Sequence, residues 1–412
     1  MTPQNPEVIA AIAGTMRSSI SRRRLLRAAG LGGVAMVAAA CGASDEALGG
    51  GGAGGQAVAQ DVGAAEDMSA VDKLINWSNW PLYIDIDDAT GSRPSLEEFQ
   101  KLTGFEVVYT EDVNDNNEFY AKVRTQLEQG QDIGRDIVVL TDWMAALWVQ
   151  NGFVQKLNKD LIPNWTNLVP KYLYTSWDPG RQYSLPWQSG FGCFGWNKGQ
   201  LKEALGTDTL VSVDQLFDPK LKGRVSVLSE MRDTMGVLLA AQGSDPSNFT
   251  DDDFNKAIET LTQQVDNGQI RQVTGNDYAG ALESGDLIAV IGWSGDMIQL
   301  GPDFGVGLPE TGGTLWTDNM MIPALAAHKR NAELLMNYYY DPEIAAQVAA
   351  YVQYICPVDG AQEAMRSIDP ALADNQWIFP DAKTLSQSYV FMTLTEEKDV
   401  EYQRAFQKAI GG

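Results

Sequence analysis

The stretch Lys73–Trp80, KLINWSNW, begins the pattern that recurs through the chain, because a short apolar run with high strand propensity ends in polar and aromatic residues. We predict a strand over Lys73–Trp77, and runs of the same kind predict strands over Glu106–Thr110 and Asp136–Leu140. Between them, Ser95–Thr103 and Asn117–Glu128 have helical spacing. The pair Ser95 and Glu98 is expected to cap the first of these helices, and Gly130 to end the second.

The same alternation continues to the C-terminus. Strands are predicted over Phe191–Asn197, Arg224–Leu228, Leu287–Trp293, Phe304–Leu308 and Met320–Ile322. Helices are predicted over Thr234–Gln242, Asp251–Val265, Asp277–Glu283, Asn331–Tyr340, Pro342–Tyr354 and Tyr402–Ala409. Strands that alternate with helices indicate an α/β fold.

The first forty residues have the composition of an export signal rather than of a folded domain. Five arginines and one glutamate precede an apolar run over Ala28–Ala40, and this run is too short for a transmembrane helix. Ser21–Arg27, SRRRLLR, matches the twin-arginine export pattern, and Ala38–Cys41, AAAC, resembles a lipobox with Cys41 as the lipidated residue. A secreted protein that is cleaved elsewhere and carries no lipid is the alternative.

Residues 41–70 consist largely of Gly, Ala, Ser and acids, which predicts a flexible tether before a body that begins near Val71. The remaining length is enough for two lobes with separate cores. We predict a first lobe of residues 71–184 and about 294–316, and a second of 185–293 and about 317–412, whose last helix could pack on the first.

The charge and the scarcity of certain residues exclude several functions. The chain has 30 Lys and Arg against 54 Asp and Glu, a net charge of −24, which disfavours nucleic acid as a partner and favours cations. Its only histidine, His328, is expected in a solvated loop, which leaves little basis for a His-dependent nucleophile or zinc site. Cys193 and Cys356 lie in apolar surroundings and are expected to be buried free thiols, although one bridge between them remains open. No phosphate-binding glycine loop follows a strand, and no cofactor or metal is predicted.

Polar or acidic residues stand at four predicted strand ends, at Trp77–Trp80, Thr141–Trp143, Ser229–Asp233 and Trp293–Asp296, and all but the third also contain a tryptophan. Ligands of α/β sheets bind outside the carboxyl ends of strands. Carboxylates suit ammonium groups, and aromatic faces suit methylene chains and add a cation–π attraction. The combination favours an α,ω-diamine, against the alternative that each aromatic belongs to the core and each acid caps a helix.

The chain from about Leu74 to about Ala409 resembles the polyamine-binding proteins of bacterial ABC transporters. The motifs that carry the resemblance are Asn76–Trp80 (NWSNW), Asn117–Lys122 (NEFYAK), Arg135–Val139 (RDIVV), Tyr183–Trp187 (YSLPW) and Ile291–Asp296 (IGWSGD). The resemblance implies a periplasmic-binding-protein-like fold of type II, with two α/β lobes, hinge crossovers and a ligand cleft between the lobes. Residues Gln188–Gly190 depart from the family pattern and leave the exact polyamine open.

The resemblance also implies a ligand site, with no catalytic residue. Its expected members are Trp77, Trp80, Thr141, Trp143, Glu230, Asp233, Asn276, Trp293, Asp296, Trp316 and Asp318.

The predicted function is therefore that of an exported, lipid-anchored receptor, monomeric and non-enzymatic. It captures a putrescine- or spermidine-like cation in the periplasm or at the outer face of the membrane and delivers it to an ABC permease. One alternative is a receptor for another small solute, such as an amino acid, an opine or a thiamine-like cation. The other is an exported hydrolase that uses Glu230 and Asp233 as an acid pair.

Overall fold

The computed structural model describes residues 65–87 and 89–411. Ten strands are present in this part of the chain: β1 Leu74–Asn79, β2 Glu106–Glu111, β3 Ile137–Thr141, β4 Ser184–Asn197, β5 Val225–Leu228, β6 Ile270–Thr274, β7 Ala289–Trp293, β8 Phe304–Gly307, β9 Gly313–Met321 and β10 Ser388–Tyr389. The predicted strands are all present with shifted ends, and β4 begins seven residues earlier than expected.

The α-helices alternate with these strands. They are α1 Pro94–Thr103, α2 Asn116–Glu128, α3 Asp142–Gln150, α4 Lys198–Leu205, α5 Val213–Leu216, α6 Met231–Ala241, α7 Asp251–Asp266, α8 Tyr278–Glu283, α9 Ser294–Gln299, α10 Lys329–Tyr339, α11 Pro342–Val352, α12 Ala361–Ile368, α13 Pro370–Ala373, α14 Ala382–Leu385 and α15 Glu396–Ala409. The predicted helix Tyr402–Ala409 is the second half of α15.

Two groups of parallel strands are joined by two long antiparallel ones. The strand order is β2-β1-β3-β9-β4-β7-β5-β6, with β8 paired to β4 and β10 paired to β9. Strand β9 pairs with β3 through Asp318–Met321, and β4 pairs with β7 through Gly192–Trp196. Because β4 and β9 also pair with each other along most of their length, they cross from one group to the other. This is the two-lobed α/β architecture that the sequence predicts, with β4 and β9 as its crossovers.

The inner strands β3, β5 and β7 are covered on both faces, which explains their unbroken apolar runs. Residues Ile137–Leu140 of β3 and all of β7 are buried. Burying a side chain of the Val, Leu or Ile type contributes about 1.5–3 kcal/mol. Rigid, buried strands therefore hold in place the residues that follow their carboxyl ends.

Contacts of the C-terminal half favour a division into lobes that differs from the predicted one. Strand β8 pairs with Phe194–Asn197 of β4, beside β7, and α9 packs on β4 and β8. Helix α10 contacts β1, and α11 contacts α1. We therefore propose that 294–316 belongs with the second lobe, and that α10 and α11 belong with the first.

Helix α1 is not capped by the predicted pair Ser95 and Glu98. Its N-cap is Arg93, Pro94 is its first residue, and Ser95 lies inside the helix. The backbone N–H of Ser95 donates to Asp85 Oδ2 at 2.9 Å, and its hydroxyl donates to the other oxygen of that carboxylate. The prediction failed because a distant acid satisfies the free N–H group, while Pro94 supplies the backbone angle that a first helical residue needs.

His328 is not the solvated loop residue that was predicted, since it is only 7% exposed. Its Nδ1 lies 3.0 Å from Asp136 Oδ2, and its Nε2 lies 3.4 Å from Asp72 Oδ2. Asp136 lies in the interior directly before β3, and its contact with the imidazole holds His328 in the interior as well. The expectation of buried free thiols at Cys193 and Cys356 is confirmed.

The export signal 1–40, the lipidation residue Cys41 and the tether as far as residue 64 lie outside the described residues. The last part of the predicted tether is ordered, since Met68–Ala70 forms a 3₁₀ turn. The backbone N–H of Met68 donates to the carbonyl oxygen of Ala327 at 2.7 Å. The folded body therefore begins at about residue 67, a few residues before the predicted start.

Candidate ligand-binding site

A cavity of about 950 Å³ lies where the carboxyl ends of β1, β3, β5 and β7 meet. Ten of the eleven predicted site residues border it: Trp80, Thr141, Trp143, Glu230, Asp233, Asn276, Trp293, Asp296, Trp316 and Asp318. They follow strands of both lobes or lie on β9. The chain therefore brings them together in the place that strand-end reasoning predicts.

Trp77 is the one predicted residue that does not border the cavity. Its side chain is fully buried, and its ring makes edge contacts with Tyr109 and Trp187, at centroid distances of 5.0 and 5.2 Å. It is a core residue because successive side chains of β1 point to opposite faces.

Asp296 lies in the first turn of α9, directly after β7. Its carboxylate accepts hydrogen bonds from Tyr354 Oη at 2.6 Å, Tyr278 Oη at 2.7 Å and Asn276 Nδ2 at 2.9 Å. Burial raises the pKa of this carboxyl, and the three hydrogen bonds oppose that rise without cancelling it. The free-energy cost of burying the charge of Asp296 therefore exceeds the stabilisation that its neutral hydrogen-bond donors provide.

Asp318 of β9 occupies the side of the cavity that faces the first lobe. It accepts hydrogen bonds from Thr141 Oγ1 at 2.7 Å and from Tyr83 Oη at 2.9 Å. Burial raises its pKa to about 7, and the hydrogen bonds lower it in part. Asp318 is therefore poised to gain from a cationic partner near neutral pH.

Asp233, in the first turn of α6, holds the ring of Trp293 in place. It accepts from Trp293 Nε1 at 3.0 Å, and from the Thr314 hydroxyl. Burial raises the pKa of this carboxyl as well. The hydrogen bond fixes the orientation of the Trp293 indole, and the face of the ring remains available to border the cavity.

Glu230 connects the two lobes. Its Oε1 accepts from the backbone N–H of Asn116 at 3.0 Å and from Asn116 Nδ2 at 2.8 Å, at the start of α2. Beside it, Ser229 Oγ donates to Asp115 Oδ2 at 2.9 Å. Burial and the nearby Asp115 raise the pKa of Glu230 well above its usual range. One carboxylate oxygen of Glu230, a residue predicted to bind the ligand, thus joins the two lobes.

Aromatic rings surround these acids and also meet across the cleft. Trp80 and Trp293 lie edge to face, with centroids 5.8 Å apart, and Tyr83 and Tyr354 do so at 5.2 Å. Trp316 packs against Tyr354 at 5.4 Å. The rings give flat apolar walls on which a methylene chain can lie.

Trp143 and Arg232 lie toward the more exposed side of the cavity. The Arg232 guanidinium carbon is 4.1 Å from the centroid of a Trp143 ring, and Arg232 Nη2 is 2.8 Å from Asp399 Oδ1. Trp143 is among the site residues predicted from the sequence, and Arg232 is not. Its pairing with α15 could not be predicted.

Several residues that shape the site were missed: Tyr83, Asn116, Tyr278 and Tyr354. Each contributes a hydrogen-bond donor to one of the predicted carboxylates. A buried acid needs such donors. That requirement is the signal that could have prompted a search for nearby Tyr and Asn residues, although sequence spacing does not identify them.

Within residues 65–87 and 89–411, no three His, Cys, Asp or Glu side chains are grouped closely enough to hold a metal ion. No described helix combines the length and the apolar character that a membrane crossing requires.

The chain is similar to known proteins in sequence and in fold. Residues 95–379 match the family described as bacterial extracellular solute-binding protein. A spermidine/putrescine-binding periplasmic protein of Salmonella typhimurium is 28% identical over 295 residues, which cover 71% of this chain and 81% of that protein.

Solved structures share the fold. A protein described as a spermidine/putrescine ABC transporter of Listeria monocytogenes superposes with a TM-score of 0.70 at 24% identity, covering 82% of this chain and 99% of its own. A binding protein of A. tumefaciens R10, in complex with agropinic acid, gives a TM-score of 0.63 at 19% identity, covering 82% and 99%. With the family match over most of the described residues, the chain belongs to the bacterial extracellular solute-binding proteins.

Proposed function

We propose that the protein captures a polyamine of the putrescine and spermidine class and delivers it to an ABC importer. One observation carries this proposal: four buried carboxylates, Glu230, Asp233, Asp296 and Asp318, border one cavity, and within the described residues none forms an ion pair with Lys or Arg. Burial raises the pKa of all four. A bound ammonium group would offset that cost.

The aromatic walls support the same class of ligand. Trp80, Trp293 and Trp316 border the cavity that the acids line. Aromatic faces attract cations by about 0.5–2 kcal/mol and bury methylene groups that lie between two ammonium ends. The spermidine/putrescine-binding relative with 28% identity supports the proposal independently.

No catalytic role is proposed for the acids. Glu230 accepts from Asn116, and Asp233 accepts from Trp293 and Thr314, so both carboxylates are engaged in fixed hydrogen bonds. Glycosidic chemistry needs an acid pair that flanks the scissile bond. These hydrogen bonds instead hold the two lobes and the indole ring of Trp293 in position.

The place of action follows from the family and from the N-terminal sequence. We propose twin-arginine export, a lipid anchor at Cys41 and action as a monomer beside a membrane permease. The Ser21–Arg27 and Ala38–Cys41 motifs support this part of the proposal.

Isothermal titration of the purified protein tests the function. Putrescine, spermidine and spermine should bind, whereas neutral and acidic amino acids and an opine should not. Saturable binding of an amino acid or an opine, with no heat from any polyamine, would overturn the proposal in favour of another solute receptor.

A further inference from the structure

The two lobes meet at a contact that lies beside the cavity and does not border it. On the first lobe the contact is formed by the loop between β2 and α2, which carries Asn114 and Asp115. On the second lobe it is formed by Ser229 and Gly275, which follow β5 and β6. None of these four described residues borders the cavity. Changes at the contact therefore act on the approach of the lobes without touching a ligand.

Strands β5 and β6 place Ser229 and Gly275 side by side. The two strands are parallel neighbours, and the backbone N–H of Ser229 donates to the carbonyl oxygen of Thr274 at 2.9 Å. The hydroxyl of Ser229 donates across the cleft to Asp115 Oδ2 at 2.9 Å. Gly275 follows Thr274 directly, so it lies against the residue that precedes Asp115.

Gly275 is buried against the backbone of Asn114. A Cβ atom at position 275 would lie 3.1 Å from both Nδ2 and Oδ1 of Asn114, and closer still to its carbonyl oxygen. A carbon atom and a carbonyl oxygen normally approach no closer than about 3.3 Å. Because the nearest atom belongs to the backbone, no change of rotamer relieves the overlap. A side chain at 275 is therefore incompatible with lobes in this position.

The space at position 275, and not its backbone conformation, requires glycine. Gly275 is not among the glycines with a left-handed backbone, so alanine can adopt its φ angle. The crowding at Gly292 is of another kind, because a Cβ there would meet the ring of Tyr278 in the same lobe. Alanine at 275 therefore leaves each lobe intact and keeps the two lobes apart.

We propose that Gly275 is a positioning residue for closure of the cleft, because its lack of a side chain admits the carbonyl oxygen of Asn114. Glu230 accepts from Asn116 at 2.8 and 3.0 Å across the same contact, and hydrogen bonds of this kind weaken steeply as their atoms separate. A separation that accommodates a methyl group lengthens them. Gly275 thus acts through the lobes and holds for any solute; only a titration with spermidine rests on the proposed polyamine-binding function.

Disulfide trapping measures closure without a ligand. Asp115→Cys and Ser229→Cys together place thiols on the two sides of the contact, with Cys41 changed to Ser throughout. Cys193 and Cys356 are buried and do not compete. Under a mild oxidant this pair should form a disulfide. Adding Gly275→Ala should slow its formation by about fivefold or more, because overpacking disfavours the closed state.

The matched control is Gly280→Ala, a few residues further along the same lobe. Gly280 is exposed on α8, and among the described residues a Cβ there would have no heavy atom within 4 Å outside its own helix. The disulfide should form at the parent rate in this variant. A parent-like rate in Gly275→Ala as well would overturn the proposal.

Titration calorimetry and stopped-flow fluorescence give a second readout, in the protein with native Asp115 and Ser229. Gly275→Ala should bind spermidine roughly 5- to 150-fold more weakly, through faster dissociation and with little change in association. Its melting temperature without ligand should equal that of the parent. A melting temperature several degrees lower, with parental affinity, would show that Gly275 serves the packing of its own lobe and would overturn the proposal.

The outcomes separate this inference from the polyamine function. If the parent does not bind spermidine, the proposed ligand class is wrong, and disulfide trapping still decides the role of Gly275. If Gly275→Ala and the parent bind spermidine equally well, the closure role is wrong and polyamine binding stands. Asp115 caps α2, so the cysteine pair also removes that cap. If trapping fails for this reason, the spermidine affinities of Gly275→Ala and Gly280→Ala decide.

Discussion

We expect Asp296 to be the chief carboxylate for the ligand's ammonium group, because it combines burial, a raised pKa and a position in the turn that follows β7. Its three hydrogen-bond donors are neutral, so its negative charge is not compensated. A buried charge of this kind destabilises the ligand-free protein and favours binding of a cation. The same residue thus exchanges some stability for affinity.

Asp296→Asn should weaken spermidine binding by about 30-fold or more, because loss of one partner in a desolvated charge pair costs about 2–5 kcal/mol. The melting temperature without ligand should change little, since the penalty for the buried charge disappears while one of the two oxygens that accept from Tyr354 and Tyr278 is lost, and these effects oppose each other. Titration calorimetry and thermal unfolding measure both effects.

The control for this variant is Asp303→Asn, which changes an exposed acid near the end of α9. It should leave affinity and melting temperature unchanged. If Asp296→Asn binds spermidine as well as the parent and melts several degrees lower, Asp296 serves the fold and not the ligand.

Asp318 should make binding depend on pH. Burial raises its pKa to about 7 without ligand, whereas a bound ammonium favours the ionised form, so binding below pH 7 must release a proton. Affinity should therefore fall as pH falls from 7 to 5, by at most about tenfold per pH unit for one proton. Dissociation constants at pH 5, 6, 7 and 8 measure the slope.

The stability of the ligand-free protein should have the opposite slope. Because the folded-state pKa of Asp318 lies above the unfolded value of about 3.9, the folded state binds more protons, and stability falls as pH rises from about 4 to about 7. Asp318→Asn should flatten the contribution of this residue to both curves. An affinity that stays constant or rises on acidification contradicts the assignment.

At the scale of elements, the start of α2 and the turn before α6 hold the lobes together across the cleft. Asn116 donates twice to Glu230 and once, at 2.9 Å, to Thr141 Oγ1, and Thr141 in turn donates to Asp318. This chain of hydrogen bonds links the contact between the lobes to Asp318, one of the carboxylates proposed to bind the ligand. Opening of the cleft must break it.

Asn116→Ala should therefore speed ligand release. Loss of the side-chain donor to Glu230 costs about 1–3 kcal/mol, so dissociation should accelerate roughly 5- to 150-fold while association changes little. Stopped-flow tryptophan fluorescence measures both rates. Gln126→Ala, on the exposed side of the same helix, is the control, and an unchanged dissociation rate for Asn116→Ala would rule out this contact as a restraint on opening.

The elements themselves were largely predictable. The runs at Ile137–Leu140 and Ala289–Trp293 are apolar because both faces of those strands are covered, and this leaves a clear pattern. The extent of β4 was less clear, because Ser184–Gly190 contains Pro186 and three polar residues, and its pairing partner β9 is distant in sequence. The capping of α1 by Asp85 was hidden for the same reason, since a long-range partner leaves no local pattern.

At the scale of the whole molecule, the strand-end rule and the family resemblance together named eleven site residues, of which ten border one cavity and Trp77 does not. Residues 76–80 contain two tryptophans, and strand alternation sends Trp77 into the core while Trp80 reaches the cavity. The positions of the tyrosine donors, and of the C-terminal residues that border the cavity, depend on how the lobes and α15 pack. Those contacts join residues as far apart as Tyr83 and Asp318, so no local pattern reports them.

Export should depend on the two features proposed for the N-terminus. Changing Arg22 and Arg23 together to Lys should leave the precursor in the cytoplasm, because the twin-arginine system reads that pair. Cys41→Ser should release the mature protein from the membrane fraction. Cell fractionation with immunoblotting detects both, and normal secretion of the first variant or continued anchoring of the second would refute the corresponding assignment.

The most direct test of the account is a crystal structure of the protein with spermidine. We expect the ligand in the cavity beside the buried acids, with ammonium nitrogens about 2.7–2.9 Å from carboxylate oxygens of Asp296 and Asp318. The methylene chain should lie against the faces of Trp80 and Trp293. A cavity that stays free of spermidine at a saturating concentration, or a ligand whose ammonium groups contact neither carboxylate, would contradict the account.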